Sequence, residues 1–337
     1  MKINSYCLMI VLAVLLLCPA GANARDYAVL VSAGEATADD TEVNSEYWYD
    51  LYLQYETLIS EGYSHDDIYV LYGYGTPFPS SKPLYQNGFP FNIVDYSVNR
   101  ANIQAVFSQL ADAVENDDFL FVWWLGHGGV MGGHYSMFIE TTWESVMDDE
   151  FQAWVDQITD YRTRAFSIMT CQSGAIIDEL ENVKTIVATA CLEEEYAASD
   201  WLCDTIHTEM HYYERAAFHK ATPGGLCGVI DADDNDDGRV SFAEEFDYID
   251  DNMYWTAPQL SDPGGWAPDT YLSDDLVEGD VDGDGDVDLA DLAALLASYG
   301  LCPGDPGYES AANFIEDDPC ITLADLGALL GNYGFGV

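Results

Sequence analysis

The chain has 337 residues, 49 % of them apolar or aromatic, enough for one large core plus a small second one and incompatible with global disorder. Ten Lys+Arg against 60 Asp+Glu give a formal charge of −50. So acidic a chain is repelled by nucleic acid and by anionic membrane surfaces, and neither is expected as a partner.

The first residues, MKINSYCLMIVLAVLLLCPAGANARDY, hold one lysine, an apolar run from Leu8 to Leu17, and Ala22-Asn23-Ala24. This is the pattern of a signal peptide over 1–24, which places the mature protein outside the cell, at its surface or in a periplasm. The apolar run is too short to span a bilayer, Leu17 ahead of Cys18 disfavours a lipid anchor, and no other stretch reads as a membrane span. Cleavage leaves Cys171, Cys191, Cys203, Cys227, Cys302 and Cys320. They are free to pair in an exported protein but too few for a disulfide scaffold.

From Asp26 onward, β-rich runs alternate with helical periodicity. Strands are expected at 26–32, 67–73, 119–125, 164–170 and 185–190. Helices are expected at 45–59, 99–114, 148–158 and 174–181, with a hairpin near 134–140. Apolar strands separated by helices predict an α/β fold with a mostly parallel sheet covered on both faces. Such sheets bind ligands beyond the carboxyl ends of their strands.

Two of those ends carry chemistry. FVWWLGHGGV, 121–130, stops at His127, and IMTCQSGAII, 168–177, stops at Cys171. An imidazole titrates near neutrality and serves as general acid or base. A thiol opening a helix is expected to have a lowered pKa and more nucleophilic thiolate. Either residue alone reads as a core side chain; the pair reads as a reacting couple. Gly128 lets its backbone N–H approach a developing oxyanion closely. The pair His207 and His211, in HTEMH, has helical spacing for zinc. The zinc-peptidase pattern, however, needs Glu directly after the first His, and Glu209 comes one place later, so zinc is not expected.

DDNDDGRVSFAE, Asp233 to Glu244, fits the calcium-loop template: Asp233, Asn235 and Asp237 as donors, Gly238 at the turn, the Arg239 carbonyl, and Glu244 as closing ligand. DVDGDGDVDLAD repeats this logic with Asp280, Asp282, Asp284 and Asp286 and closes on Asp291. DLADLAALLASYG and TLADLGALLGNYG match across a 34-residue offset, so the C-terminal region is a duplicated loop–helix unit. In the second copy Pro319 replaces the turn glycine and Asp325 is the closing acid. Cys302 follows the first helix and Cys320 lies in the second loop. A module this small needs a staple, so these two are expected to form a disulfide. Calcium is the expected cofactor, with no organic cofactor.

Together, GHGG and TCQSG at strand ends, with ATACLEEEYA after the next strand and DGRVSFAEEFDYI followed by TAPQL, resemble the caspase-like cysteine peptidases of the legumain type. The duplicated C-terminal unit resembles the type I dockerin repeat. The resemblance implies a caspase-like peptidase domain over 25–265 with an EF-hand-like loop at 233–244, a linker at 266–278 and an all-α dockerin-like domain over 279–337. It implies Cys171 as nucleophile, His127 as general base or proton donor, and the N–H groups of Gly128 and Cys171 as the oxyanion hole. Asn44 falls where an orienting residue stands, and Glu46 where legumain has a basic specificity residue, which points to a basic substrate side chain. A polypeptide is the implied substrate and a cohesin-like protein the implied partner. The same acyl-enzyme also serves a transpeptidase, and a catalytically inactive calcium-dependent binding module is the remaining alternative.

Overall fold

The computed structural model describes residues 24–36, 45–203, 205–218, 232–235, 239–273, 279, 281, 287–303, 305–308, 310–314 and 320–333. Residues 1–23 of the expected signal peptide, Asn44, Cys227, Asp237, Gly238, Asp280, Asp282, Asp284, Asp286 and Pro319 lie outside the described residues. The strands in chain order are β1 (Asp26–Ser32), β2 (Ile68–Tyr72), β3 (Phe119–Leu125), β4 (His127–Met131), β5 (His134–Ile139) and β6 (Glu144–Met147). They continue as β7 (Thr163–Met169), β8 (Thr185–Thr189), β9 (Ser199–Leu202), β10 (Thr205–Thr208) and β11 (Gln259–Ser261). The main sheet has the order β11-β8-β7-β3-β1-β2. It is parallel throughout except for β11, which runs antiparallel to β8. The protein is therefore α/β, with a mixed, mostly parallel six-stranded sheet.

The centre of the sheet follows from the sequence of β3, which is buried at every position. Alternate strand residues point to opposite faces. Phe119, Phe121 and Trp123 enter one core, and Leu120, Val122 and Trp124 enter the other. The helices covering these faces, with the two beyond the sheet, are α1 (Glu46–Ser60), α2 (Arg100–Ala113), α3 (Asp148–Val155), α4 (Ile177–Leu180), α5 (Glu209–Phe218), α6 (Phe242–Asn252), α7 (Leu289–Ser298) and α8 (Leu323–Asn332). Helix α2 starts where it does because the Asn99 side chain accepts the Asn102 N–H, a cap contributing about 1 kcal/mol. Helix α1 is buried almost all round, because β1 lies on one side of it and α5 on another. A three-stranded meander, β4-β5-β6, and a hairpin, β9-β10, rise beside the main sheet.

Two expectations change. His207 and His211 do not share a helix: β10 ends at Thr208 and α5 begins at Glu209, so their spacing puts them on different elements. Part of the segment expected as a linker, 266–278, packs on the main core. Ala267 and Leu272 are buried in the main core, Tyr63 donates to the Leu272 carbonyl (2.6 Å), and Ser273 donates to Asp26 (2.7 Å). The C-terminal segment has a core of its own, built from Val287, Leu295, Ile321 and Leu329 among others. There Cys302 and Cys320 are joined in a disulfide with their Cα atoms 4.1 Å apart. Cys203 is disulfide-bonded as well. No helix among the described residues is long and apolar enough to cross a membrane.

Candidate active site

Strands β3 and β7 are parallel neighbours whose register pairs Leu125 with Met169. His127 and Cys171 each stand two residues beyond that aligned pair, at the carboxyl edge of the sheet. Adjacent strands lie about 4.8 Å apart, so the register puts the two residues at neighbouring strand ends. Closeness of the flanking backbone is visible at Gly128. A Cβ there would come within 2.6 Å of Thr170 Oγ1 and 2.9 Å of the Cys171 carbonyl. Only glycine fits, and its backbone is pressed against the Cys171 loop.

His127 is held from outside the motif. Its Nε2 lies 3.2 Å from the Tyr47 hydroxyl and 3.4 Å from Glu140 Oε2. Tyr47 belongs to α1, and its ring sits edge-on to the imidazole. Glu140 directly follows β5, whose register places Phe138 opposite His127. Its backbone N–H donates to the Ala33 carbonyl at the end of β1 (2.9 Å). Burial pushes the Tyr47 phenol well up, helped by the negative charges of Glu46, Glu140 and Cys171, so it remains a neutral donor at any working pH.

Cys171 is half-buried and unpaired. The expected lowering of its pKa is not found. The segment after it is a 3₁₀ turn, Ser173–Ile176, followed by the four residues of α4, too short to supply a helix N-terminus. Burial instead raises the thiol, only partly offset by the Ala197 N–H directed at the sulfur. Gln172 takes the left-handed conformation (φ 59°). Its side chain accepts the Val130 N–H on β4 (2.9 Å) and donates to the Glu193 carbonyl (3.0 Å). Gln172 thus ties the His127 strand, the Cys171 turn and the loop after β8 together. Cys191 is buried beneath, its thiol donating to the Thr170 carbonyl (3.4 Å), which is a structural role.

The register puts His127 and Cys171 at neighbouring strand ends with Gly128 against the Cys171 turn, and Glu46 opens α1 one residue before Tyr47. The expected orienting residue, Asn44, lies outside the described residues; Tyr47 and Glu140 are the side chains that contact the imidazole among the described residues. The sequence carried one signal for Tyr47, its position in an apolar helix beside Glu46, and none for Glu140.

In the 233–244 loop, Ser241 caps α6 and the Glu244 carboxylate turns back onto the loop. It accepts from the Ser241 N–H (2.9 Å) and the Asn235 N–H (3.3 Å). A closing carboxylate already folded over its own loop, with Asp233 and Asn235 at its start, suits a hard oxygen-binding cation. The C-terminal repeat shows the same device twice. Asp291 accepts from Val281 and Asp288, each at 2.7 Å, and Asp325 from Phe314 (2.8 Å) and Thr322 (2.7 Å). Elsewhere His134, Asp148 and Asp149 cluster within 4.8 Å. Asp148, though, already accepts the Tyr135 and Asp149 N–H groups, so it serves as a structural cap.

No family model matches the sequence, and no curated protein matches it significantly. Among solved structures, the chain is similar to the crystal structure of protein GSU0716 from Geobacter sulfurreducens. The TM-score is 0.45 at 10 % identity, over 70 % of this chain and 92 % of that one, a likeness that assigns no function.

Proposed function

We propose that the protein is an exported, calcium-binding cysteine endopeptidase with a caspase-like catalytic domain of the legumain type. The observation that supports this reading is the β3–β7 register, which pairs Leu125 with Met169, two residues before His127 and Cys171, with the Gly128 backbone against the Cys171 turn. The main-sheet order and the glutamine-braced loop after Cys171 are compatible with that fold.

In this account the Cys171 thiol gives its proton to His127 as sulfur attacks the scissile carbonyl. The S–C bond forms while the N–H groups of Gly128 and Cys171 receive the developing oxyanion. His127 then protonates the leaving amine, the C–N bond breaks, and a thioester remains. Water, deprotonated by His127, hydrolyses it and restores the thiol. Because burial raises the Cys171 thiol, the thiolate forms during attack. Glu140 and Tyr47 act through His127. Glu140 stabilises the imidazolium and, with Tyr47, fixes the ring's orientation.

Calcium, when bound, supplies a structural charge at the 233–244 loop, where Asp233, Asn235, Asp237, Arg239 (through its carbonyl) and Glu244 would hold it. In the C-terminal repeat Asp280, Asp282, Asp284, Asp286 and Asp291 would do the same. That repeat exposes Leu289, Leu296 and Tyr299, and again Leu323, Leu330 and Tyr333 at the 34-residue offset. Paired apolar faces of this kind suit a dockerin-like module binding a cohesin-like protein. The test is a positional peptide library digested with the wild-type protein and with Cys171→Ala. Cleavage by the first and not by the second supports the reading; equal cleavage refutes it.

A further inference from the structure

The outer face of the β4–β5–β6 meander carries more than His127. Residues two apart on a strand share a face, and residues directly paired across strands share it too. Tyr135, Met137 and Ile139 of β5 and Val146 of β6 are buried in the core that Trp124 enters. Phe138 therefore belongs to the opposite face, and the register sets it directly across from His127. It is half-buried, and the ring that stands over it is Trp143, edge-on with centroids 5.8 Å apart.

Trp143 lies in the turn between β5 and β6, and its backbone takes the left-handed conformation, φ 58°. Glycine or asparagine is the ordinary occupant there, and a bulky residue is strained. The turn is braced on both sides of the strain. The Thr142 hydroxyl donates to the Glu144 carboxylate (2.8 Å), which also accepts the Arg100 N–H (3.3 Å). The Thr141 hydroxyl donates to the Val98 carbonyl (3.3 Å). Burial does not account for the indole, because the side chain is 81 % exposed. A firmly mounted aromatic surface with Phe138 at its edge is a contact prepared for an apolar group.

Its place beside His127 says which group. In the peptidase account His127 protonates the leaving amine, so the first residue after the cut begins within about 3 Å of the imidazole. Paired side chains on adjacent strands stand about 5 Å apart, which brings that residue's side chain within reach of Phe138 and Trp143. Glu140 stands at the imidazole and Glu144 follows Trp143, while the Arg100 guanidinium is already paired with Glu150 (2.6 Å). The neighbourhood is negative and disfavours an acidic side chain.

We propose that Trp143 and Phe138 form the subsite for the first residue on the amine side of the cut, and that this subsite takes a large apolar or aromatic side chain. The proposal rests on the peptidase reading above and names the substrate class of the same site.

The experiment uses the full chain and internally quenched peptides built on the best sequence from the positional library. They vary only at the first residue after the cut: Phe, Leu, Ala, Lys or Asp. The expected kcat/KM for Phe and Leu is about 10–50-fold above Ala, with Asp poorest. Trp143→Gly, which suits the left-handed backbone, should collapse the Phe/Ala ratio towards one, and Trp143→Tyr should keep most of it. Equal rates for Phe and Ala, a preference for Lys or Asp, or an unchanged ratio in Trp143→Gly overturns the proposal while the peptidase reading stands. If no peptide is cleaved, the peptidase reading fails and binding alone decides the subsite. Saturation-transfer NMR then compares phenylalanine amide with alanine amide on the wild type and on Trp143→Gly. Binding selective for phenylalanine amide and lost in the variant supports the subsite; equal or undetectable binding overturns it. Dimerisation that Trp143→Gly abolishes, in place of any Phe preference, assigns the face to a second copy of the chain and overturns it too.

Discussion

Nε2 of His127 lies 3.4 Å from Oε2 of Glu140, a buried oxygen with no hydrogen-bond partner among the described residues. When His127 takes the thiol proton, the new imidazolium faces this carboxylate directly, and the ion pair strengthens as the reaction proceeds. Glu140→Gln keeps the shape and removes the charge. It should lower kcat by about 10–100-fold with little change in KM or melting temperature. Loss of stability without a kcat-specific effect would make Glu140 merely structural.

The raised Cys171 thiol predicts slow alkylation at neutral pH. A pKa above the ordinary thiol value means less thiolate at any given pH, so the iodoacetamide rate should climb steadily as pH rises past neutrality. Among the described cysteines one site should react, because Cys191 is buried. A fast rate already level at pH 6–7, as an order-of-magnitude window, would show a standing thiolate instead.

Glu46 gives a pH dependence of stability. Its carboxyl titrates near 7 in the folded protein and near 4.5 when free. The native state therefore binds the proton more tightly than the unfolded state does. That stability is fully present below about 4.5 and is lost as pH rises through 7. Glu46→Gln lacks the penalty. Compared with the wild type it should gain up to about 3 kcal/mol between those limits and stay level above them. Melting curves across this range check it; a constant difference would contradict it.

How much of this was legible depended on whether a signal was local. The ends of β3 and β7 could be read because an apolar run stops abruptly at His127 and at Cys171. The 34-residue repeat could be read by comparison of the chain with itself. Tyr47 and Glu140 could not, because they meet His127 only through the packing of α1 and the β4–β5 pairing. His207 and His211 were misread because a spacing of four describes one helical face only when both residues share the helix, and here a strand ends between them. The Cys171 pKa was misjudged for a related reason. The apolar run after it folds as a 3₁₀ turn, not as a helix long enough to have a dipole of consequence.

Calcium should stabilise the catalytic domain by mass action if it binds only the folded 233–244 loop. Addition of a chelator should lower the melting temperature, and Glu244→Gln should remove most of that difference. Superimposable curves with calcium and with chelator would contradict a bound ion.

The Cys302–Cys320 disulfide closes a short loop in a module with a small core, so it should contribute about 3 kcal/mol. Reduction, or Cys302→Ser with Cys320→Ser, should lower the stability of this module while leaving peptidase activity unchanged. Hydrogen exchange, which resolves the two cores separately, measures the first effect, and peptide cleavage measures the second.

The most direct test is covalent capture. The intact protein is incubated with a set of peptidyl ketones bearing each residue type beside a thiol-reactive carbon, and adducts are located by mass spectrometry. The account predicts a single adduct on Cys171, formed much more slowly in His127→Ala and absent from unfolded protein. No adduct on folded protein, or labelling that ignores His127, would contradict it.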